Sequence, residues 1–153
     1  MPSIETRLTD LGIILPDAPA PAANYVPFVV TGNTVYISGQ ISQNSTGLIK
    51  GRLGADMDVP AGAEAAKACA VSLLAQLKKA CDGDLSRVVR AVKLTGFVNS
   101  TPEFIDQPKV INGASDLLAT VMGDAGRHAR SAVSAASLPF GVAVEIEGIF
   151  EIR

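Results

Sequence analysis

The C-terminal segment, from Phe140 or Gly141 to Ile152, alternates between apolar and other side chains with the period of a β-strand. The apolar positions would share one face of a sheet, and they are Val142, Val144, Ile146, Phe150 and Ile152. The opposite face would carry Ala143, Glu145, Glu147, Ile149 and Glu151. Such a strand requires a layered fold in which another element covers its apolar face. Two glutamates near the end of an apolar strand are either solvated or face a site.

The rest of the chain alternates between strand-like and helix-like patterns. Gly32-Asn33 predicts a hairpin between two strands, and the other predicted elements are a helix at 60–81, a strand at 87–98, a helix at 109–122 and a strand at 130–136. Ser3 should cap a short helix that ends near Gly12, and the Pro/Ala-rich segment 15–24 should be an irregular connector. Residues 100–103 have capping-box form, and the segment from 44 to 60 should hold one short strand or none.

This order of elements favours an α+β fold, a mixed β-sheet with two main helices on one face. Several strands, among them "RAVKLTGFV" and "AVSAASL", carry few charges on either face. The face that the helices leave uncovered must therefore be buried elsewhere. Packing three such sheets around an axis would bury it.

Composition limits the partners of this chain. Of its 153 residues 48% are hydrophobic and 18% charged, there is no Trp, and the net charge is −2. That length predicts a single domain with a sizeable core. A nucleic-acid partner is disfavoured, because its phosphates call for a basic surface and the sequence shows no basic stripe.

The cysteines and the N-terminal residues bear on the compartment. Cys69 and Cys81 fall in one predicted helix, about 18 Å apart, which is too far for a disulfide. Core thiols of this kind fit a reducing compartment. The first residues contain no apolar signal segment, and no run is long enough to cross a membrane. We expect a soluble, cytoplasmic protein.

Most familiar catalytic patterns are absent from the sequence. His128 is the only histidine, so zinc sites of the usual spacing are not expected, and no Gly-rich phosphate loop or Gly-x-Ser-x-Gly motif is present. A Ser/His/Asp triad is disfavoured, because Arg127 and Arg130 flank the histidine.

Arg130 and Glu145 remain as the candidate pair. A hairpin turned at "SLPFG" would bring Glu145 back alongside Arg130. A guanidinium binds a carboxylate with two parallel hydrogen bonds, and a nearby glutamate can orient or deprotonate a water. The alternative is a surface ion pair of little energetic value.

Three segments resemble one known family. "ARSAVSAASLPFGVAVEIEGI" resembles the signature of the RidA family, also called YjgF/YER057c/UK114 or endoribonuclease L-PSP. "YVPFVVTGNTVYISGQIS" is similar to its early strands, and "AAKACAVSLLAQLKKACDGDLSRVVRAVKLTGFVNSTPEF" to its helix–strand unit. Residues 1–20 and the loop near 45–60 look longer than in short members, which suggests a divergent subgroup of about this length.

The resemblance implies a chorismate-mutase-like α+β fold of the Bacillus type and a homotrimer with sites at the subunit interfaces. Residues 1–20 would form an N-terminal helix and connector, and residues 21–153 one RidA-like domain. The family's best-understood activity is the hydrolysis of reactive 2-imino or enamino acids to 2-keto acids and ammonia, without a cofactor or a metal. Such a reaction would rely on orientation of a carboxylate-bearing substrate and a water.

The resemblance also assigns roles to residues. Arg130 would hold the substrate carboxylate, and Glu145 would position water with help from the backbone carbonyl of Ala132. The other positions that match the family pocket are Tyr25, Ser38, Gly39 and Asn112. Ala132 stands where many members have Cys, which argues against a thiol nucleophile. Arg127 and His128 stand where Phe-Pro or Tyr-Pro is common.

Structural interpretations stay open for several of these residues. Tyr25 could instead cover a sheet edge, Ser38 serve strand hydrogen bonds, and Asn112 lie on a helix surface. His128 could be a plain loop residue, and Glu147 could pair with a lysine.

Three functions are compatible with the sequence. The first is an imine or enamine deaminase, the second is a non-catalytic trimer that binds keto or amino acids, and the third is an L-PSP-type ribonuclease that inhibits translation. The acidic balance and the lack of a His–Lys or His–His pair count against the third.

Overall fold

The computed structural model describes residues 2–21 and 23–153. The strands are β1 (Phe28–Thr31), β2 (Thr34–Ile41), β3 (Gln43–Asn44), β4 (Gly47–Leu48), β5 (Val88–Asn99), β6 (Ala129–Ala135) and β7 (Val144–Ile152). The helices are α1 (Ile4–Asp10), α2 (Val59–Ala80) and α3 (Gln107–Met122), with 3-10 turns at 85–87, 123–126 and 139–141. The main sheet has the order β1-β2-β7-β5-β6, in which β5 and β6 are parallel and the other neighbours antiparallel. The predicted α+β fold with a mixed sheet is confirmed.

The core lies between this sheet and helices α2 and α3. The apolar stripe of α2 is fully buried at Ala66, Cys69, Ala70, Leu73 and Leu77. In α3 the apolar positions that face the sheet are also buried, namely Val110, Leu117, Leu118 and Val121. The two helices approach so closely that a Cβ on Gly113 would overlap the backbone carbonyl of Ala63. Small residues at this crossing therefore set the spacing of the helical layer.

Local chemistry fixes the helix ends, and those of α1 lie where the sequence predicted them. The Ser3 hydroxyl accepts from the Thr6 backbone N–H at 3.1 Å, and Gly12 follows α1 with φ +71°. Asp58 caps α2 by accepting from the Ala61 N–H at 2.9 Å. The connector 15–24 contains no helix or strand in its described residues, and Ala22 lies outside them.

Three local predictions were wrong. Residues 100–103 do not cap α3, which begins at Gln107; the Ser100 hydroxyl instead lies 2.7 Å from that of Ser134 and ties β5 to β6. The segment after β2 contains two short strands, β3 and β4, which pair as a small hairpin. The last strand begins at Val144 rather than at residue 140 or 141, because a 3-10 turn occupies 139–141.

The face of the sheet opposite the helices is open in the protomer. Cross-strand pairing places Val29 beside Tyr36, and these side chains are 52% and 49% exposed. Val133 on β6 is 45% exposed. An apolar face left uncovered by the elements in residues 2–21 and 23–153 is the pattern the sequence predicted. Among the described helices, none is both long and apolar enough to cross a membrane.

Candidate active site

Glu145 lies at the start of β7 on the open face of the sheet. Its cross-strand neighbours are Ile41 on β2 and Phe97 on β5. A register irregularity in β2 between Ile37 and Gln40 places Gly39 beneath the carboxyl group. A Cβ on Gly39 would lie 2.9 Å from Cδ of Glu145, so the glycine makes room for the acid.

A cavity of about 350 Å³ surrounds the Glu145 carboxyl group. It is lined by Pro19, Ala20, Pro21, Tyr25, Pro27, Gly39, Gln40, Ile41, Gln43, Pro139, Phe140 and Glu145. Most of these side chains are apolar, and Glu145 is the charged residue among them. The connector forms one wall, where Gln76 Nε2 donates to the Pro19 carbonyl at 2.7 Å.

The surroundings of Glu145 favour its protonated form more than water does. Partial burial of the carboxyl group raises its pKa, and the nearby negative charge of Glu147 raises it further. Glu147 lies two residues along the same strand face and is exposed. A carboxylate whose pKa is raised in this way is a stronger proton acceptor once it is ionised.

Tyr25 and Ser38 lie beside this cavity. Tyr25 is 48% exposed and lines it. The Ser38 hydroxyl donates to the Val26 carbonyl at 3.2 Å, and its backbone N–H donates to the Pro27 carbonyl at 2.9 Å. Ser38 thus holds the segment that carries Tyr25 against β2.

Arg130 belongs to a different part of the molecule. It lies on β6, opposite Leu94 of β5, and its side chain reaches α3. Its Nη1 group donates to Asn112 Oδ1 at 2.8 Å and to Ser115 Oγ at 3.2 Å. These two bonds account for both hydrogens of Nη1. Within residues 2–21 and 23–153, neither Nε nor Nη2 of Arg130 is hydrogen-bonded and no carboxylate forms an ion pair with this guanidinium.

Ala132 follows Arg130 on the same face of β6, opposite Gly96, and packs against the core. The structure therefore divides the predicted site residues into two groups. The acid half contains Tyr25, Ser38, Gly39 and Glu145. The arginine half contains Arg130, Asn112 and Ala132.

The predicted hairpin between Arg130 and Glu145 is wrong. Strand β5 lies between β6 and β7. On β5, Leu94 is the cross-strand neighbour of Arg130, and Phe97 is the cross-strand neighbour of Glu145. Two strand spacings and three residues along the strand separate their Cα atoms by roughly 14 Å. Since Leu94 and Phe97 differ by three positions, the two side chains also project from opposite faces of the sheet. The segment after β6 crosses the end of β5 instead, where the Asn99 N–H donates to the Ala143 carbonyl at 2.9 Å.

Ser115 and His128 are functional candidates that the sequence did not reveal as such. The Ser115 hydroxyl contacts both Arg130 and, at 3.0 Å, Nε2 of His128. Ser115 follows Asn112 by three positions and so shares its helix face, which is the signal that could have identified it. In the described part of the chain, no three His, Cys, Asp or Glu side chains are grouped to hold a metal ion. Burial raises the pKa of the Cys69 and Cys81 thiols, which are free.

Comparison with known proteins gives consistent matches over nearly the whole chain. Residues 5–147 match the family model described as "YjgF/chorismate mutase-like, putative endoribonuclease". The protein TCP17 of Trypanosoma cruzi is 49% identical over 152 residues, 98% of this chain and 94% of that protein. The crystal structure of Atu1372 from Agrobacterium tumefaciens is 54% identical with a TM-score of 0.92, covering 98% of this chain and 92% of that one.

A second solved structure superposes less closely. The YjgF gene product of Escherichia coli is 31% identical with a TM-score of 0.57, and the match covers 90% of this chain and 94% of that one. The difference in TM-score fits a subgroup with its own local structure inside a common fold. On the family match and these identities, the chain belongs to the YjgF/RidA family and has its chorismate-mutase-like fold.

Proposed function

We propose that this protein hydrolyses small 2-imino acids to 2-keto acids and ammonia, in clefts between the subunits of a homotrimer. The observation that carries the proposal is the free Nε/Nη2 edge of Arg130. Its Nη1 hydrogens are bonded within the chain, while the edge that suits a carboxylate has no partner among the described residues. A guanidinium held in one plane in this way binds a carboxylate with two parallel hydrogen bonds.

Glu145 supplies the second requirement of the reaction, which is a base for water. Water adds to the protonated imine carbon, and Glu145 takes a proton from that water as the C–O bond forms. Glu145 returns this proton to nitrogen and then takes the proton of the new hydroxyl group as the C–N bond breaks, which gives a 2-keto acid and ammonia. Ammonia takes that proton from Glu145 and leaves as ammonium, so the carboxylate is regenerated. A protonated imine is already electrophilic, so orienting the reactants is sufficient and no cofactor takes part.

One protomer cannot bring these two groups onto one small substrate. They are roughly 14 Å apart at Cα and project from opposite faces of the sheet. The open face that carries Glu145 is also the exposed apolar face. Packing that face against the β6 edge of a second copy would bury it and bring Arg130 toward the cavity. A cyclic trimer repeats this contact and forms equivalent clefts.

The remaining site residues would shape the cavity or hold the two catalytic side chains in position. Tyr25 and Gly39 shape the cavity wall beside Glu145, and Ser38 holds the Tyr25 segment. Asn112 fixes one hydrogen of Arg130 Nη1. The Ala132 carbonyl on β6 would be the second acceptor for the water.

A binding-only trimer is the second candidate, because an arginine edge can hold a keto or amino acid without turnover. A ribonuclease activity has less support from the chain itself. The net charge of −2 offers little attraction to phosphates, and His128 is engaged by Ser115 and by a backbone carbonyl.

Imine decay tests this proposal directly. An amino-acid oxidase generates imines from Ala, Leu or Phe, and semicarbazide traps whatever remains. The protein should lower the rate of semicarbazone formation, and Arg130→Ala should abolish that effect. Arg153→Ala is the matched control: this exposed arginine follows β7 at the end opposite Glu145 and donates to the Ser86 carbonyl.

If none of the three imines decays faster with the wild-type protein, deamination is excluded for these substrates. Arg130-dependent binding of pyruvate would then support the binding-only trimer.

A further inference from the structure

A chain of hydrogen bonds connects the backbone to Arg130 through two side chains. His128 Nδ1 lies 2.6 Å from the Gly126 carbonyl, and Nε2 lies 3.0 Å from Ser115 Oγ. Arg130 Nη1 donates to the same Ser115 oxygen at 3.2 Å. All three side chains are partly buried at the edge of the sheet under α3.

The chemistry of the groups fixes the direction of these bonds. A carbonyl oxygen only accepts, so His128 Nδ1 carries a hydrogen and donates to Gly126. In the neutral ring Nε2 is then an acceptor, and the Ser115 hydroxyl donates to it. That leaves the lone pairs of Ser115 Oγ for Arg130 Nη1. His128 thus sets which way the hydroxyl points.

The Gly126 end of this series of hydrogen bonds is held firmly in place. Gly126 is buried, and a Cβ added to it would overlap the backbone carbonyl of Leu118 on α3. The acceptor for His128 is therefore held by main-chain packing against the helix that carries Ser115. Asn112, one turn earlier on α3, fixes the second hydrogen of Nη1 at 2.8 Å.

We infer that His128, acting through Ser115, is a positioning residue for Arg130. With both Nη1 hydrogens bonded to fixed acceptors, the guanidinium plane is set and its Nε/Nη2 edge is presented to the carboxylate of a 2-imino or 2-keto acid. The kinetic part of this inference rests on the proposed deaminase function, whereas the geometric part does not. It also gives a role to His128, which the proposed reaction does not otherwise use.

The kinetic test uses four variants. His128→Phe keeps a ring without an acceptor, His128→Gln restores an amide oxygen within reach of Ser115, Ser115→Ala removes the link, and the double variant combines Ser115→Ala with His128→Phe. We expect His128→Phe and Ser115→Ala to raise KM for the imino acid roughly tenfold with little change in kcat, since they misalign the carboxylate anchor. His128→Gln should recover most of the loss. The double variant should be no worse than Ser115→Ala, because His128 acts through Ser115.

A spectroscopic test separates this inference from the proposed function. In ¹⁵N-arginine-labelled protein, the Arg130 signals are identified by their absence in Arg130→Ala. Two fixed acceptors should slow rotation of Nη1 and give resolved Nη1 signals in the wild type. These signals should broaden or merge in His128→Phe and in Ser115→Ala, and return in His128→Gln. Unchanged signals in both disruptive variants overturn the inference, whether or not imines are hydrolysed. Loss of catalysis with the expected spectra would instead count against the deaminase proposal.

Discussion

The acid half and the arginine half of the candidate site are built by different means. Side-chain hydrogen bonds hold Arg130, whose Nη1 is fixed by two residues of α3 before any ligand arrives. Backbone geometry and apolar surface shape the place of Glu145, where an irregularity in β2 puts Gly39 beneath the carboxyl group. An anchor for a charged group has to be oriented, whereas a base has to be partly desolvated. The proposed anchor and the proposed base lie on opposite faces of one sheet.

The largest expected effect is the loss of activity when a residue of either half is replaced, followed by partial recovery when both variants are combined in one trimer. Arg130→Ala and Glu145→Gln should each lower kcat/KM for imine hydrolysis by at least about 100-fold. If each site takes one residue from each of two copies, every trimer that contains both variants has one intact site out of three and should recover about a third of wild-type activity. Co-expression with two affinity tags, followed by the imine-decay assay, measures this.

Two controls test whether the recovered activity comes from sites shared between two copies. Each variant expressed alone should stay inactive, and Glu151→Gln, on the same face at the far end of β7, should stay active. Inactive mixed trimers would contradict the two-copy site. A monomeric mass in sedimentation would contradict the trimer itself.

A methyl group at Gly39 should disturb the acid half alone. The Cβ of Gly39→Ala would lie 2.9 Å from Cδ and 3.1 Å from Cγ of Glu145, so the carboxyl group must shift. We expect kcat/KM to fall about 10–100-fold, because small displacements of a catalytic group are costly. Pyruvate affinity should change less than about twofold, because the Arg130 anchor is untouched. Calorimetric titration with pyruvate beside steady-state kinetics checks both, and a parallel loss of pyruvate affinity would show that the halves are not separable.

The fold was largely predictable because its signals are local and periodic. The alternation in β7 and the apolar stripe of α2 follow from side-chain spacing, and Asp58 and Gly32-Asn33 fall where caps and hairpin turns require such residues. Strand pairing is not local in this sense. The sequence does not record that β5 lies between β6 and β7, so the hairpin inferred from proximity along the chain was wrong.

The candidate site was predictable to a different degree in each half. The residues themselves came from the family resemblance, but their division into two groups depends on the sheet order. Ser115 escaped notice because a serine within a helix carries no catalytic signal of its own. Its importance depends on His128 and Arg130, which approach it from another element.

In the acid half, Phe140 has a strained backbone conformation. It lines the acid cavity with φ +59° and is 60% exposed, an unfavourable conformation for a bulky residue. Phe140→Gly removes left-handed strain of about 1–2 kcal/mol and adds roughly 0.5–1 kcal/mol of unfolded-chain entropy. We therefore expect a net gain of about 0.5 kcal/mol in the free energy of unfolding, measured by denaturant titration. A loss of stability would mean that the ring is packed, as it would be against a second copy.

The smallest expected effect concerns the pH profile of the acid half. Glu147 helps to raise the pKa of Glu145, so Glu147→Gln should lower that pKa by removing a neighbouring negative charge. The proposed hydrolysis requires ionised Glu145, so activity should fall as the pH drops through its pKa. The acid limb of kcat/KM against pH should therefore move to lower pH in Glu147→Gln and stay in place in Glu151→Gln. His128 and Ser115 belong to the other half, so Ser115→Ala should raise KM without moving this limb. If Ser115→Ala moved the limb and Glu147→Gln did not, the titrating group would belong to the arginine half and Glu145 would not be the base.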